Sequence, residues 1–176
     1  DLPNDTDPPT DDGADDSGHD SDDGGDDTGI EDVPGGEQVP QIDPPGGGFV
    51  DTISVNITTS ISGAQLKACT APPQATCSPD VIDGPVVLTS STILHARVDV
   101  GDTHGEEIAR SFFRVNAAAA GFHSDLPVMV LWTQASAEAL SANTAIGVDV
   151  LEPNGGQVGL LATPSNSGRA RIHIRG

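Results

Sequence analysis

The most restrictive feature of this sequence is its separation of charge. Residues 1–43 hold 16 of the 27 acidic side chains and none of the 7 lysines and arginines. Such a segment has almost nothing to bury and its carboxylates repel one another, so we predict a disordered, extended tail. Residues 44–176 hold the other 11 acidic and all 7 basic side chains, and a packed core is expected only there. The net charge of -20 argues against nucleic acid as a partner.

The acidic tail is interpreted as a spacer, because its Asp, Gly and Pro residues suit a link between an attachment point and a folded module. Calcium is the alternative, since oxygen ligands at alternate positions are what an EF-hand-type loop supplies. The carboxylates of this pattern are Asp20, Asp22, Asp26 and Glu31. Gly24 stands where a third side-chain ligand belongs, and no amphipathic helix flanks the segment. The pattern therefore predicts loose Ca²⁺ binding and no other cofactor.

Residues 44–116 show the pattern of a β-sandwich. Ile53, Val55 and Ile57 alternate with polar residues, which is the period of a half-buried strand. Further segments of strand length are bounded by Gly, Pro, Ser or Asp: residues 64–69, 85–88, 92–100 and 109–115. Short strands at this spacing predict a sandwich.

The segment 92–100 predicts a strand with one apolar and one polar face. Its apolar face carries four aliphatic side chains, Leu94, Ala96, Val98 and Val100. His95, Arg97 and Asp99 lie on the other face, which is interpreted as solvated. A catalytic pair of His95 with Asp99 is disfavoured, because residues four apart on a strand are about 13 Å apart.

The two cysteines, Cys69 and Cys77, predict a disulfide across a short Pro-containing loop. A disulfide requires an oxidising compartment, so we expect the protein to be secreted or periplasmic. The sequence contains no apolar run near the roughly 20 residues that a membrane-spanning helix needs. Its first residues have no signal-peptide pattern, so we expect a processed, exported chain.

Residues 40–116 carry a family resemblance. The segments 48–49, 53–57, 83–98 and 111–115 together resemble the fibronectin type III-associated domain, a β-sandwich related to the C-terminal domain of chitobiases and β-hexosaminidases. Residues 69–73 depart from it, because the family's Asp-Gly turn is missing there. The resemblance implies an accessory domain without catalytic residues.

Kinship with the chitobiase domain also raises carbohydrate binding, with a cell-surface glycan as partner. Sugar sites stack pyranose rings on exposed Trp or Tyr side chains. This chain has no Tyr, and Trp132 ends an apolar run. Phe112 and Phe113 are the remaining candidates, so the sequence counts against this alternative.

Residues 117–176 are predicted to form a partial second β-rich domain. Residues 122–131 and 171–176 resemble the beginning of a CotH kinase family domain, and the similarity extends over about residues 121–176. No Gly-rich phosphate loop, His-Arg-Asp or Asp-Phe-Gly motif occurs, and the one lysine, Lys67, belongs to the sandwich. We therefore expect no enzymatic activity from this polypeptide.

The last predicted strand has a basic face formed by Arg171, His173 and Arg175. Two interpretations stay open: a phosphate contact in a complete enzyme, or a solvent face or interface with a further domain. A hydrolase is disfavoured, because the adjacent residues His123, Ser124 and Asp125 point to alternate faces of a strand.

The sequence thus predicts an all-β protein: a small β-sandwich with a disordered acidic N-terminal tail and a partial second β-rich domain. The expected function is a non-catalytic accessory region of a secreted or surface-anchored bacterial CotH-like protein, in the style of a lipoprotein. It would space and support a downstream domain, which is its expected partner. The alternative is a carbohydrate-binding or calcium-responsive cell-surface module.

Overall fold

The computed structural model describes residues 39–135 and 143–172, and nearly all of their regular structure is β. Residues 39–116 contain β1 (Gln41–Asp43), β2 (Gly47–Phe49), β3 (Ile53–Thr58), β4 (Gln65–Ala71), β5 (Asp80–Val81), β6 (Val86–Leu88), β7 (Thr92–Val100), β8 (Thr103–His104) and β9 (Ile108–Arg114). The described residues after 116 contain a 3₁₀ turn (Ala117–Ala119), β10 (His123–Ser124), β11 (Val128–Trp132), β12 (Thr144–Leu151), β13 (Val158–Gly159) and β14 (Asn166–Ile172). The predicted fold class is confirmed.

Two sheets form the sandwich. The outer sheet has the strand order β1-β3-β6, and the central sheet has the order β2-β9-β7-β4-β5, with β8 added to β7. The alternation in β3 turns Val55 and Ile57 inward, where they pack against Leu94 and Phe112 of the central sheet. This first core is apolar, and Val55, Leu94 and Phe112 are fully buried in it.

A third sheet, the cover sheet, has the order β11-β12-β14 and lies on the opposite face of the central sheet. The faces are opposite because Ile93 and Phe113 belong to this second core, whereas their chain neighbours Leu94 and Phe112 belong to the first. The second core also contains Val115, Trp132, Leu151 and Val158. The central sheet is therefore buried on both faces near the start of β7. The described parts of the two predicted domains share this interface.

Two glycines of β2 allow its backbone to approach the backbone of residues 160–163 closely. Gly47 has φ +119°, and a side chain there would lie 2.5 Å from the carbonyl oxygen of Ala162. A side chain at Gly48 would collide with the carbonyl oxygen of Leu160. Because glycine has no Cβ, β2 can lie against residues 160–163. At the same time, β2 pairs in parallel with β9.

No helix in residues 39–135 and 143–172 is long and apolar enough to cross a membrane.

Candidate functional site

The polar face of β7 is largely covered, so its interpretation as a solvated face was wrong. Asp99 is only 2% exposed. Its carboxylate lies 2.8 Å from Lys67 Nζ and 3.0 Å from both Arg97 Nε and His104 Nδ1. Lys67 and Arg97 face each other across β4 and β7, so the Asp99 carboxylate offsets two neighbouring cations.

The Lys67 hydrogen bond lowers the pKa of Asp99 below its ordinary value of 3.8, although burial of the carboxylate opposes this shift. A hydrogen bond from His104 and the charges of Arg97 and His104 lower the pKa further. The cluster keeps Asp99 ionised at neutral pH and fixes the edge of the central sheet where β8 joins β7.

His95, from the same face, connects the central sheet with the cover sheet. Its Nδ1 lies 2.8 Å from Glu107 Oε1, and its Nε2 lies 3.4 Å from Arg169 Nη2. An imidazole that donates to Glu107 through Nδ1 leaves Nε2 free to accept from Arg169. The chain of carboxylate, imidazole and guanidinium therefore orients Arg169, which belongs to β14.

Asp149 of β12 forms a second polar contact between the two sheets. It is 0% exposed, and its carboxylate accepts hydrogen bonds from Ser111 Oγ (2.7 Å), Trp132 Nε1 (2.7 Å) and Ser167 Oγ (2.5 Å). The donors come from β9, β11 and β14, so one side chain joins the central sheet to the cover sheet. Hydrogen-bond donors are what a buried carboxylate requires. Sequence reasoning missed Asp149, although an acid inside an apolar alternation was the available signal.

The aromatic residues named for sugar binding are buried. Trp132 packs over Gly147, where a side chain would overlap the indole ring, and its Nε1 is held by Asp149. Phe112 and Phe113 belong to the two cores. None of these three side chains offers an exposed face to a pyranose ring.

The Cys69–Cys77 disulfide is confirmed, with an S–S distance of 2.05 Å. It closes the loop that contains Pro73 and Gln74. These two residues form one wall of a groove of about 760 Å³, and the ends of β12 and β14 form the other.

This basic groove is lined by Arg169 and Arg171 of β14 together with neutral residues, and no Asp or Glu is among its lining residues. Arg171 Nη1 donates to the carbonyl oxygen of Asn143 at 3.3 Å. The residues opposite Arg169 and Arg171 on β12 are Gly147 and Ala145, which are small. Of the predicted basic trio, only Arg171 is placed, because His173 and Arg175 lie outside the described residues.

The calcium carboxylates Asp20, Asp22, Asp26 and Glu31 also lie outside the described residues. Residues 39–135 and 143–172 contain no group of three His, Cys, Asp or Glu side chains that could hold a metal ion. Loose Ca²⁺ binding by the tail stays a prediction.

The run from His123 to Asp125 forms a strand and turn. Ser124 Oγ accepts a hydrogen bond from the backbone N–H of Leu126 at 3.0 Å, and His123 is exposed opposite Gly159. The Ser124 hydroxyl thus stabilises the local backbone turn.

Comparisons with protein-family models, with curated proteins and with solved structures find no match. The two family resemblances therefore stay predictions.

Proposed function

We propose that this chain is a non-catalytic accessory region of an exported, surface-anchored CotH-like protein, in which the sandwich and the cover sheet support a neighbouring domain. The main support for this proposal is the contact between the sandwich and the cover sheet. The second core and the Asp149 hydrogen bonds attach the cover sheet to the central sheet. A sheet fixed in this way is a rigid support, because apolar packing and satisfied buried polar groups resist relative motion.

The other face of the cover sheet supports the proposal. Met129 is 65% exposed and Leu131 is 52% exposed, and both lie on β11. Val150 and Val148 are directly opposite them on β12 and are partly exposed. A cluster of exposed apolar side chains on one sheet face is typical of a contact surface. We assign this face to the neighbouring domain.

The Cys69–Cys77 disulfide supports the proposed export. The Cys69–Cys77 disulfide is stable in an oxidising compartment and is rare in the cytosol. The acidic segment 1–43 has the composition of a spacer, which suits attachment at a cell surface.

To test this, the source transcript is sequenced beyond the Gly176 codon. Two proteins are then compared: the 176-residue chain and the continued product, which is the longer protein that the transcript encodes. Leu131→Arg should change the melting temperature of the shorter chain little, because Leu131 is exposed there. In the continued product it should lower the melting temperature by several degrees, because a charge would enter the contact. The matched control is Val87→Arg, at a 61% exposed position of the outer sheet, which should be neutral in both proteins.

A frame that stops after Gly176 would contradict the proposed support of a downstream domain. An equal effect of Leu131→Arg in both proteins would contradict the assignment of this face.

A further inference from the structure

The strand β14 forms an exposed edge of the cover sheet. Its residues pair with β12 on one side, from Asn166 opposite Val150 to Ile172 opposite Thr144. No described residue pairs with its other side, and six of its seven residues are exposed. An exposed edge presents backbone N–H and C=O groups to which another strand can add.

The charge of this edge differs from that of the rest of the chain. In a protein of net charge -20, Arg169 and Arg171 lie two residues apart on one face of β14, and neither forms an ion pair with a described carboxylate. Other cations do: Lys67 and Arg97 pair with Asp99, and Arg114 pairs with Asp51. The two arginines therefore form a basic site with which no described carboxylate makes a direct ion pair.

The surroundings hold both guanidinium groups at the groove. His95 Nε2 contacts one nitrogen of Arg169, and the carbonyl oxygen of Asn143 accepts from one nitrogen of Arg171. Each guanidinium has five N–H donors in a planar fork, so donors remain for a ligand. Ala145, which lies opposite Arg171 on β12, is small and lines the groove.

We propose that the free edge of β14 binds an extended acidic segment of another polypeptide by strand addition. Every second side chain of an added strand points to the same face, and the two arginines have the same spacing. Carboxylates at alternate residues of the peptide would therefore meet Arg169 and Arg171 in turn. Arginine binds carboxylate through two parallel hydrogen bonds, which favours this partner chemistry.

The opposite face of β14 sets the second requirement on the peptide. Gly168 and Ala170 lie on that face and are exposed, and no atom lies near the position of a Gly168 Cβ. Small or apolar side chains at the intervening peptide positions fit beside them. The expected motif alternates Asp or Glu with Ala, Val or Thr.

The experiment titrates the intact chain with an eight-residue peptide that alternates Glu and Thr, by calorimetry at low salt. Arg171→Ala should weaken binding about tenfold, the equivalent of one charge-assisted contact. The matched control is Arg114→Ala, because Arg114 is an exposed arginine of β9 that lies beside Asp51 and does not line the groove. This control should bind within about twofold of the parent protein. Unchanged melting temperatures show that both variants fold.

Two N-methylated peptides test the strand pairing itself. Methyl groups on one alternating set of backbone nitrogens block the hydrogen bonds to β14, and those on the other set point away. Only one of the two peptides should bind as tightly as the parent peptide. Equal binding of both, or loss of both, would overturn strand addition.

Two further results would also overturn the proposal. The first is an Arg171→Ala variant that binds the peptide as well as the Arg114→Ala control does. The second is inorganic phosphate that binds as tightly as the peptide, which would make the groove a small-anion site.

Discussion

The two faces of the central sheet are buried by different means. The face toward the outer sheet is covered by apolar side chains such as Val55, Leu94 and Phe112. The face toward the cover sheet begins with an apolar cluster around Phe113, continues to the buried carboxylate of Asp149 and ends at the open basic groove. The first interface depends on area and shape, whereas the second also depends on hydrogen bonds that must all be formed.

This difference teaches where each interface can tolerate change. An apolar interface loses stability roughly in proportion to the volume removed. A polar contact fails abruptly when one partner is removed, because the other groups stay buried without a partner. Substitutions on the two faces of the central sheet can therefore distinguish stabilisation by apolar packing from stabilisation by buried hydrogen bonds.

The largest effect is expected in the first core. Phe112→Ala should lower the free energy of unfolding by about 3–5 kcal/mol, because it leaves a cavity where a fully buried ring was. Urea denaturation followed by circular dichroism measures this change. Val87→Ala, at an exposed position of the outer sheet, should cost less than about 0.5 kcal/mol. Similar losses for both variants would show that the first core is not close-packed.

In the second interface, Asp149→Ala should cost about 3 kcal/mol, because Ser111 and Trp132 would be left as buried donors and Ser167 would lose its acceptor. Asp149→Asn should cost only about 1 kcal/mol, since the amide oxygen can accept two of these bonds and its NH₂ can donate to a hydroxyl. The same urea experiment measures both variants. Equal losses would contradict the role of hydrogen-bond acceptors at position 149, because the asparagine amide would then restore nothing that alanine lacks.

Loss of the Cys69–Cys77 disulfide, which closes the loop beside the basic groove, should lower the free energy of unfolding. The double variant Cys69→Ser with Cys77→Ser should lose roughly 2–3 kcal/mol, because the short loop no longer restricts the unfolded chain. Thermal melts with and without reductant provide the measurement. Reductant should shift the parent protein toward the double variant and leave the double variant unchanged. A reductant effect on the double variant would mean that something other than this bond responds.

The smallest expected effect is the pH dependence of the stability that Asp99 contributes. Because the folded-state pKa of Asp99 is lowered, its contribution to stability is present above about pH 3.8 and is lost as the pH falls through the lower folded-state value. Asp99→Asn should therefore be less stable than the parent protein at pH 7, and the gap should narrow below pH 3.8. Urea denaturation between about pH 2 and pH 7 measures the gap. A gap of constant size would show that the charge of Asp99 contributes nothing.

The first interface was predictable from the sequence because apolar and polar residues alternate along its strands. The predicted strand at residues 92–100 coincides with β7, and the apolar alternation of Ile53 to Ile57 correctly identified the inward face of β3. The Cys69–Cys77 bond was also predictable, since only one pairing of two cysteines exists.

The buried polar residues on the other face of the central sheet and in the cover sheet were not predicted from the sequence. Asp99 and His95 have the periodicity of a solvent face, and only their partners Lys67, Glu107 and Arg169, distant in sequence, bury them. Asp149 lies on the opposite face of β12 from Val148 and Val150, so the apolar alternation points away from it. The acid at position 149 is visible in the sequence, but its partners Ser111, Trp132 and Ser167 are distant in sequence and leave no local pattern.

For the candidate site, the sequence identified Arg171 as part of a basic strand face, and the structure places it on an exposed edge. It did not identify Arg169 as its partner at the groove. The groove depends on the disulfide loop, which approaches β14 only in the folded chain.

The parallel pairing of β2 with β9 has a mechanical consequence. The two strands run in the same direction, with Gly47 opposite Phe112 and Phe49 opposite Arg114. Tension between the chain before β2 and the chain after β9 pulls the two strands in opposite directions along their length. The backbone bonds between them are then loaded together in shear, whereas an antiparallel hairpin pulled at its open end would unzip bond by bond. A chain stretched through its acidic N-terminal segment would therefore load the short, glycine-rich strand β2 in shear.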